Sequence, residues 1–531
     1  MKIARDISFI NFVYPFLFDA NTMPGRVRAI DQAYWQPREG QSLKVWVQRK
    51  FPEKELLTHV ARYLNPTDDT SPTARLWELA KDPLQFPSGL GRDKDWALVW
   101  RDGEVPFRLE SLQLILFGVG IGFITACVKP RPRGKEGQAL GTDDWLNLLH
   151  YFRFARQQRD VRIKIRTRTG PGRFSPFFPE PAGGLLGHPE GIGGFLDVLD
   201  ALIRTGSTEL DSKAWWREVF ISGELLPFAT LYVDEVDEKE IPTLTYRLRN
   251  FFHARQEIVP TPGDLRLEND PGLLPYANSM WFIFSLDGGA FVAYDAPTKD
   301  FFRGTLPNHL QNEYFLLLIL ALHQRFALME LSEDVAKSWP VGSETSVAPQ
   351  RKDAFDLIRD RLLQFTARGY FAQVMQREHP HRCYRKWQEV FQVERLYQEV
   401  KDEVGEMYNW LLMKQNEQIQ QWQAEENKRL DAVARQQQLA EERSRRLEWW
   451  LGGVAAFLGP TALALSYLDA LGVQSTWDTP ALGIVVGLVA GAILFTIGGK
   501  IHGVGPSGGF RILLGKPVGR DVERSEGSEA Q

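Results

Sequence analysis

Cysteine is nearly absent from this chain: two residues, Cys127 and Cys383, in a sequence of 531. Two thiols so far apart build no disulfide framework, which excludes the stapled secreted scaffolds and fits a reducing compartment. An excess of one charge is lacking too. Lys and Arg number 63 against 67 Asp and Glu, a formal charge of −4, so no direct nucleic-acid binding is expected. Histidine is sparse, with nine scattered residues. His379 and His381 flank a proline without Cys or carboxylate partners at metal-ligand spacing, and no Gly-x-Ser-x-Gly or Cys–His signature marks a nucleophile. An enzyme is therefore not the expectation. The opening residues MKIARDISFINFVYPFLF are interrupted by Asp6, Asn11 and Pro15, and no small-residue cleavage site follows. They read as a buried strand, not a secretory leader.

What the chain does have is two uncharged apolar runs in its C-terminal quarter. A helix-permissive stretch from about residue 393 to 446 leads without a break into 447–468, interrupted only by Glu448. The loop 469–480 follows, and then the second run, 481–499. Each run is about long enough to cross the ~30 Å hydrocarbon layer as a helix. Arg443, Arg445 and Arg446 precede the first, and Lys500, Arg511, Lys516 and Arg520 follow the second. The loop carries Asp469 and Asp478 and no Lys or Arg. The positive-inside rule then predicts a multi-pass protein of the cell inner membrane with both termini cytoplasmic. Mean hydropathy of −0.28 fits a large water-exposed part with a small membrane part.

Upstream, residues 1–300 read as an α/β domain, with 129–225 a divergent part rich in Gly, Pro and Arg. Helices are expected at 53–64, 74–81 and 142–156. Strands are expected at 96–100, 109–117, 121–128, 228–233, 280–285 and 290–294, with Asp287-Gly288-Gly289 closing the last two as a hairpin. A helical hairpin is placed at 301–383, from helices 309–337 and 351–376, with His379-Pro380-His381 as the break before a stalk helix, 384–446. The tail 500–531 reads as disordered. Val393, Tyr397, Val400, Val404, Met407 and Leu411 form a 4-3 seam that needs a partner, and the hairpin of the same chain is the favoured one.

Continued through the first run, a 4-3 spacing picks out Glu448, Gly452, Ala455, Gly459, Ala462, Ser466 and Asp469, all small or polar. Traced backwards it gives Arg445, Glu441, Gln438, Ala434, Asp431, Asn427, Ala424, Gln420 and Glu417. If several copies place this face inward, they line a narrow axis with carboxylates at both ends, which favours cations. Small residues on a helix face also serve plain helix packing in lipid. Gly483, Gly487 and Gly491 of the second run read as such a packing ridge.

This layout resembles the CorA-like two-span metal-ion transporters: an α/β domain whose segment 112–128 looks like the family's strand-rich part, a hairpin, and a long helix continuing into two C-terminal spans. The resemblance implies a homopentamer in the lipid bilayer, an ion path along the first span and stalk, and Mg2+ or another divalent cation as transported or gating ion. It also implies carboxylates that gate by binding metal between subunits, although the metal-binding residues are unknown. The chain departs from the family signature Gly-Met-Asn after the first span, where it has Ser466-Tyr467-Leu468-Asp469.

Residues 161–168 alternate Val and Ile with Arg162, Lys164, Arg166 and Arg168, flanked by Arg153, Arg156, Arg159 and Arg173 and a glycine-rich loop at 183–194. Clustered guanidiniums beside flexible amides suit an anionic ligand such as a nucleotide. An edge strand protected by its charges fits the same pattern. Some divergent members of the resembled family accompany nucleic-acid-triggered bacterial antiviral defence. The alternatives to a cation channel are thus a ligand-gated membrane effector in such a system, or a non-conducting membrane-anchored scaffold.

Overall fold

The computed structural model describes residues 1–35, 43–67, 73–80, 94–131, 140–154, 161–170, 173–174, 217–218, 224–235, 237–267, 270–338, 344–470, 484–485 and 487–493. The chain divides into two compact units, Met1–Leu412 and Met413–Gln531.

The first unit is built on a mixed sheet. Its strands, with one small separate pair, are β1 (Lys2–Ile3), β2 (Phe9–Leu17), β3 (Tyr34–Trp35), β4 (Leu43–Lys44), β5 (Trp46–Arg49), β6 (Ala74–Leu79), β7 (Lys94–Trp100) and β8 (Gly103–Phe117). They continue with β9 (Ile121–Pro130), β10 (Arg162–Gly170), β11 (Arg173–Phe174), β12 (Arg217–Glu218), β13 (Leu226–Glu235), β14 (Leu273–Ala277), β15 (Met280–Ser285) and β16 (Gly288–Tyr294). The main order is β11-β10-β7-β8-β9-β2-β13-β16-β15-β14, and β3 and β4 form a separate two-stranded sheet. Among the described residues all strand pairs are antiparallel except β13 with β16.

The opening segment is a central strand, buried at every residue. Successive side chains of a strand point to opposite faces, so one apolar run feeds two cores. Ile10, Phe12, Tyr14 and Phe16 join a core with the helices Met23–Asp31, Thr142–Phe152 and Ile241–Arg249. Phe9, Val13 and Leu17 join a second core built largely of the C-terminal helices of this unit. Pro15, which has no N–H to donate, falls in β2 between the residues paired with β13 (Phe9 to Val13) and those paired with β12 (Phe16 and Leu17). The β15–β16 hairpin forms as expected, with Gly288 at φ 141° in the turn.

The second core is organised by the helix Phe301–Ser338, which opens with two π-type turns at Phe301–Thr305 and Leu310–Tyr314. The helix Glu344–Arg368 packs beside it, so the hairpin shares its core with the sheet. Val393, Val400, Val404 and Met407 are buried in the same core, with Tyr397 and Leu411 packed against it. The 4-3 seam is thus covered within the chain.

Several expected elements are corrected. Residues 74–79 form β6, paired with β5 and β8, not a helix; cross-strand packing outweighs the helix-forming residues it contains. The helix expected over 53–64 spans only Thr58–Leu64. His379-Pro380-His381 breaks nothing and lies in the first turn of the helix Glu378–Val390. There the missing proline N–H costs no bond, because first-turn amides lack intrahelical acceptors. The actual break is at Gln392, with φ 54°, and the long helix begins at Val393 instead of 384.

Candidate functional site

The helix Val393–Ala470 is one element of 78 residues. From 415 to 452 every residue is exposed. Among the described residues one helix, Phe301–Ser338, is long and apolar enough by length and composition to cross a membrane, and 83% of its apolar window is buried inside the fold. That burial makes it a core helix. The stretch after Arg446 is the reverse: Leu447, Trp449, Trp450, Leu451, Val454, Leu458, Leu463 and Tyr467 are all exposed, Trp450 by 68% and Leu463 by 73%. A contiguous apolar surface of this kind requires a partner or a lipid phase.

The small-residue face lies on this stretch. Glu448, Gly452, Ala455, Gly459, Ala462 and Ser466 are exposed on one side, and the side chain of Asp469 lies outside the described residues. A Cβ built on Gly452 or Gly459 meets no atom within 4 Å. A different face is covered. Gly487 and Gly491 of the second run are buried, and a Cβ on Gly487 would stand 2.0 Å from the Thr461 Cγ2. The second run therefore meets the first helix at Thr461, on a face other than the open small-residue one. The covered face was missed in the sequence because its neighbours at helical spacing, Val454, Leu458 and Leu465, are large and carry no small-residue signal.

The hydroxyls here need no outside partner. Ser466 donates to the Ala462 carbonyl at 2.8 Å and Thr461 to that of Leu458 at 2.9 Å. Pro460, inside the helix, withholds the N–H that the Ala456 carbonyl would otherwise accept. At the run's start Arg445 lies 4.0 Å from Glu441, an exposed pair of little energetic weight.

The basic strand exists as β10 and pairs with β7. Arg162, Lys164 and Arg166 stand opposite Val99, Ala97 and Asp95, while Ile163 and Ile165 stand opposite Leu98 and Trp96 of the first core. Arg168 pairs with Phe174 of β11, so the strand is one in from the edge. The side chains of these four basic residues lie outside the described residues, as do Arg156, Arg159, the glycine-rich loop, the loop 471–480 and the tail. Arg153 is engaged elsewhere. It is buried, lies 3.3 Å from Glu224 and 3.6 Å from Asp287, and sits over the Phe251 ring.

In the first unit a cleft of about 380 Å³ opens between the loop after β2 and the hairpin helices. Asp19, Glu330, Asp334 and Asp360 line it, with Arg361 paired to Asp334. These carboxylates come from three separated segments, so no sequence spacing announces them. Among the described residues no group of three or more His, Cys, Asp or Glu side chains is placed to hold a metal ion. The chain was compared with family models, with curated proteins and with solved structures, and nothing matches in any of the three.

Proposed function

We propose that this chain is a subunit of a homo-oligomeric membrane cation channel of two-span, CorA-like architecture. The first apolar run and the stalk line the path, and both termini are cytoplasmic. The observation that carries this reading is that the small-residue face of the first run stays open while the second run packs against another face of the same helix. The second run meets that helix at Thr461, which leaves Gly452, Ala455, Gly459 and Ser466 open along a surface otherwise rich in large apolar side chains. Between oligomer and lipid, such a face is best used when copies of the helix surround an axis. Glu448 at one end and Asp469 at the other favour cations there, as carboxylate rings do. With no Gly-Met-Asn after the first run, the ion is assigned no further than a cation, with divalent metals the first to test.

The test is flux through the full chain in liposomes. Gly459→Trp fills the narrow part of the path with an indole and is expected to reduce cation flux at least tenfold while the oligomer persists. Full flux through an intact Gly459→Trp oligomer would remove the first run from the path.

A further inference from the structure

Beside the start of the first apolar run lies an open crevice of about 310 Å³, lined among the described residues by Arg446, Leu447, Trp450, Leu451 and Val454. Residues three and four apart share one side of a helix, and these do. It is not the side of the ion path. At about 100° per residue the crevice lies roughly 120–150° around the helix from Glu448, Gly452 and Gly459. Its character is graded along the axis. Arg446 stands at the cytoplasmic end, and Arg443, about one turn earlier, falls on the same side of the helix. Trp450 follows with the aliphatic side chains Leu447, Leu451 and Val454, all of them exposed. From 443 to 454 the chain carries Arg443, Arg445 and Arg446 against the single carboxylate of Glu448. Arg445 is the one turned to Glu441. Glu442, four residues before Arg446, balances at most one of the two guanidiniums on the crevice side.

We infer that this crevice holds a phospholipid with an anionic headgroup, its phosphate at Arg443 and Arg446 and an acyl chain along Leu447, Leu451 and Val454. The inference rests on the membrane placement proposed above and adds a ligand to it. Charge complementarity selects the headgroup, because guanidiniums hold phosphate oxygens through paired N–H donors. The cytoplasmic leaflet supplies anionic lipid beside basic residues placed directly before a span. The order of the groups selects a lipid over a soluble phosphate ester. Cation, indole and aliphatic side chain succeed one another as phosphate, ester and acyl chain do, and an indole with one apolar and one polar edge suits the level between them. A soluble anion would leave Leu447, Leu451 and Val454 facing water.

Native mass spectrometry of the full chain in detergent, titrated with phosphatidylglycerol or phosphatidylcholine, tests this. Phosphatidylglycerol is expected to bind with a dissociation constant at least about fivefold lower than phosphatidylcholine. Arg443→Gln with Arg446→Gln is expected to abolish that preference. Arg429→Gln with Arg435→Gln, the same loss of charge on the stalk, is expected to keep it. All four sites are exposed on the helix, so folding is not at stake. Equal binding of the two lipids by the unaltered chain, or equal loss in the two double variants, overturns the inference. Displacement of the lipid by an excess of glycerol phosphate also overturns it, since the site would then take phosphate alone. So does rapid disulfide formation through Leu451→Cys under mild oxidation, which would give the crevice to a second copy; Cys127 and Cys383 are buried and contribute little background. Each of these results leaves the channel reading standing. A chain that floats with vesicles of neither lipid overturns both.

Discussion

His323 has no exposed surface, and its Nε2 lies 3.2 Å from the Tyr63 hydroxyl, with Phe117 and Phe365 rings beside it. Burial pushes its pKa down to about 3, so the folded chain holds the neutral ring. The sign follows directly. Above about pH 6.5 the ring is neutral whether the chain is folded or not, and no stability is lost. Below it the unfolded chain takes up a proton that the fold refuses, and stability falls by about 1.4 kcal/mol per pH unit toward pH 3. His150 acts in the same direction: burial lowers its pKa to about 4 against the opposing hydrogen bond with the Phe251 carbonyl. Thermal melts of His323→Phe between pH 7 and 4 are expected to show a shallower acid-side slope than wild type. At pH 7 the variant should be about 1 kcal/mol less stable, because the Tyr63 hydroxyl loses its partner. An unchanged slope would assign the acid sensitivity to other groups. None of this was legible in the sequence, where the nine histidines look merely scattered.

Among the elements, the hairpin is held to the next helix by a buried polar knot. Gln324, with no exposed surface, donates to the carbonyls of Gly369 and Phe371, each at 3.3 Å. The Tyr384 hydroxyl and the Gln388 amide each donate to the Gln324 Oε1 at 2.9 Å and also reach the Phe371 carbonyl. One side chain thus ties the core helix Phe301–Ser338, the turn after Glu344–Arg368 and the helix Glu378–Val390. Gln324→Leu leaves the Tyr384 hydroxyl and the Gln388 amide short of an acceptor and is expected to cost about 1–3 kcal/mol. A lower urea midpoint at unchanged slope would register it, and an unchanged midpoint would show the knot to be dispensable. The periodic elements were readable at this scale: the core helix, the C-terminal seam and the β15–β16 hairpin all carry their patterns locally. The junctions were not. Pro380 looks like a breaker until its first-turn position is known, and Gln392 adopts a left-handed conformation that glycine would usually announce. Ala74-Arg75-Leu76-Trp77-Glu78-Leu79 reads as helix because its strand partners, β5 and β8, are supplied from elsewhere in the chain.

At the scale of the whole molecule the sheet order could not be read, because pairing is set by partners far apart in sequence. β2 sits between β9 and β13, and β13 lies parallel to β16. The candidate site was legible to the extent that it is linear: six of the seven small or polar positions fall on an exposed helix face. The face used by the second run was not, since it takes a second segment to define it. The unit Met1–Leu412 has a core closed by Val393, Val400, Val404 and Met407, and each such side chain contributes roughly 1.5–3 kcal/mol when fully buried. A fragment ending at residue 412 is therefore expected to show cooperative thermal unfolding by circular dichroism. One ending at 392 is expected to be protease-sensitive and aggregation-prone. Equal behaviour of the two would show that the seam adds nothing to the fold. The central place of β2 has a further consequence, one of order in time. The first long strand made at the ribosome must wait for β9 and β13, and its second face for Met407, before its burial is complete. Those last residues are synthesised only shortly before the apolar run at 449–468 emerges. On the membrane reading proposed above, folding of the first unit and delivery of the apolar run to the bilayer would fall due almost together, and a chain slow in the former would arrive with its central strand uncovered.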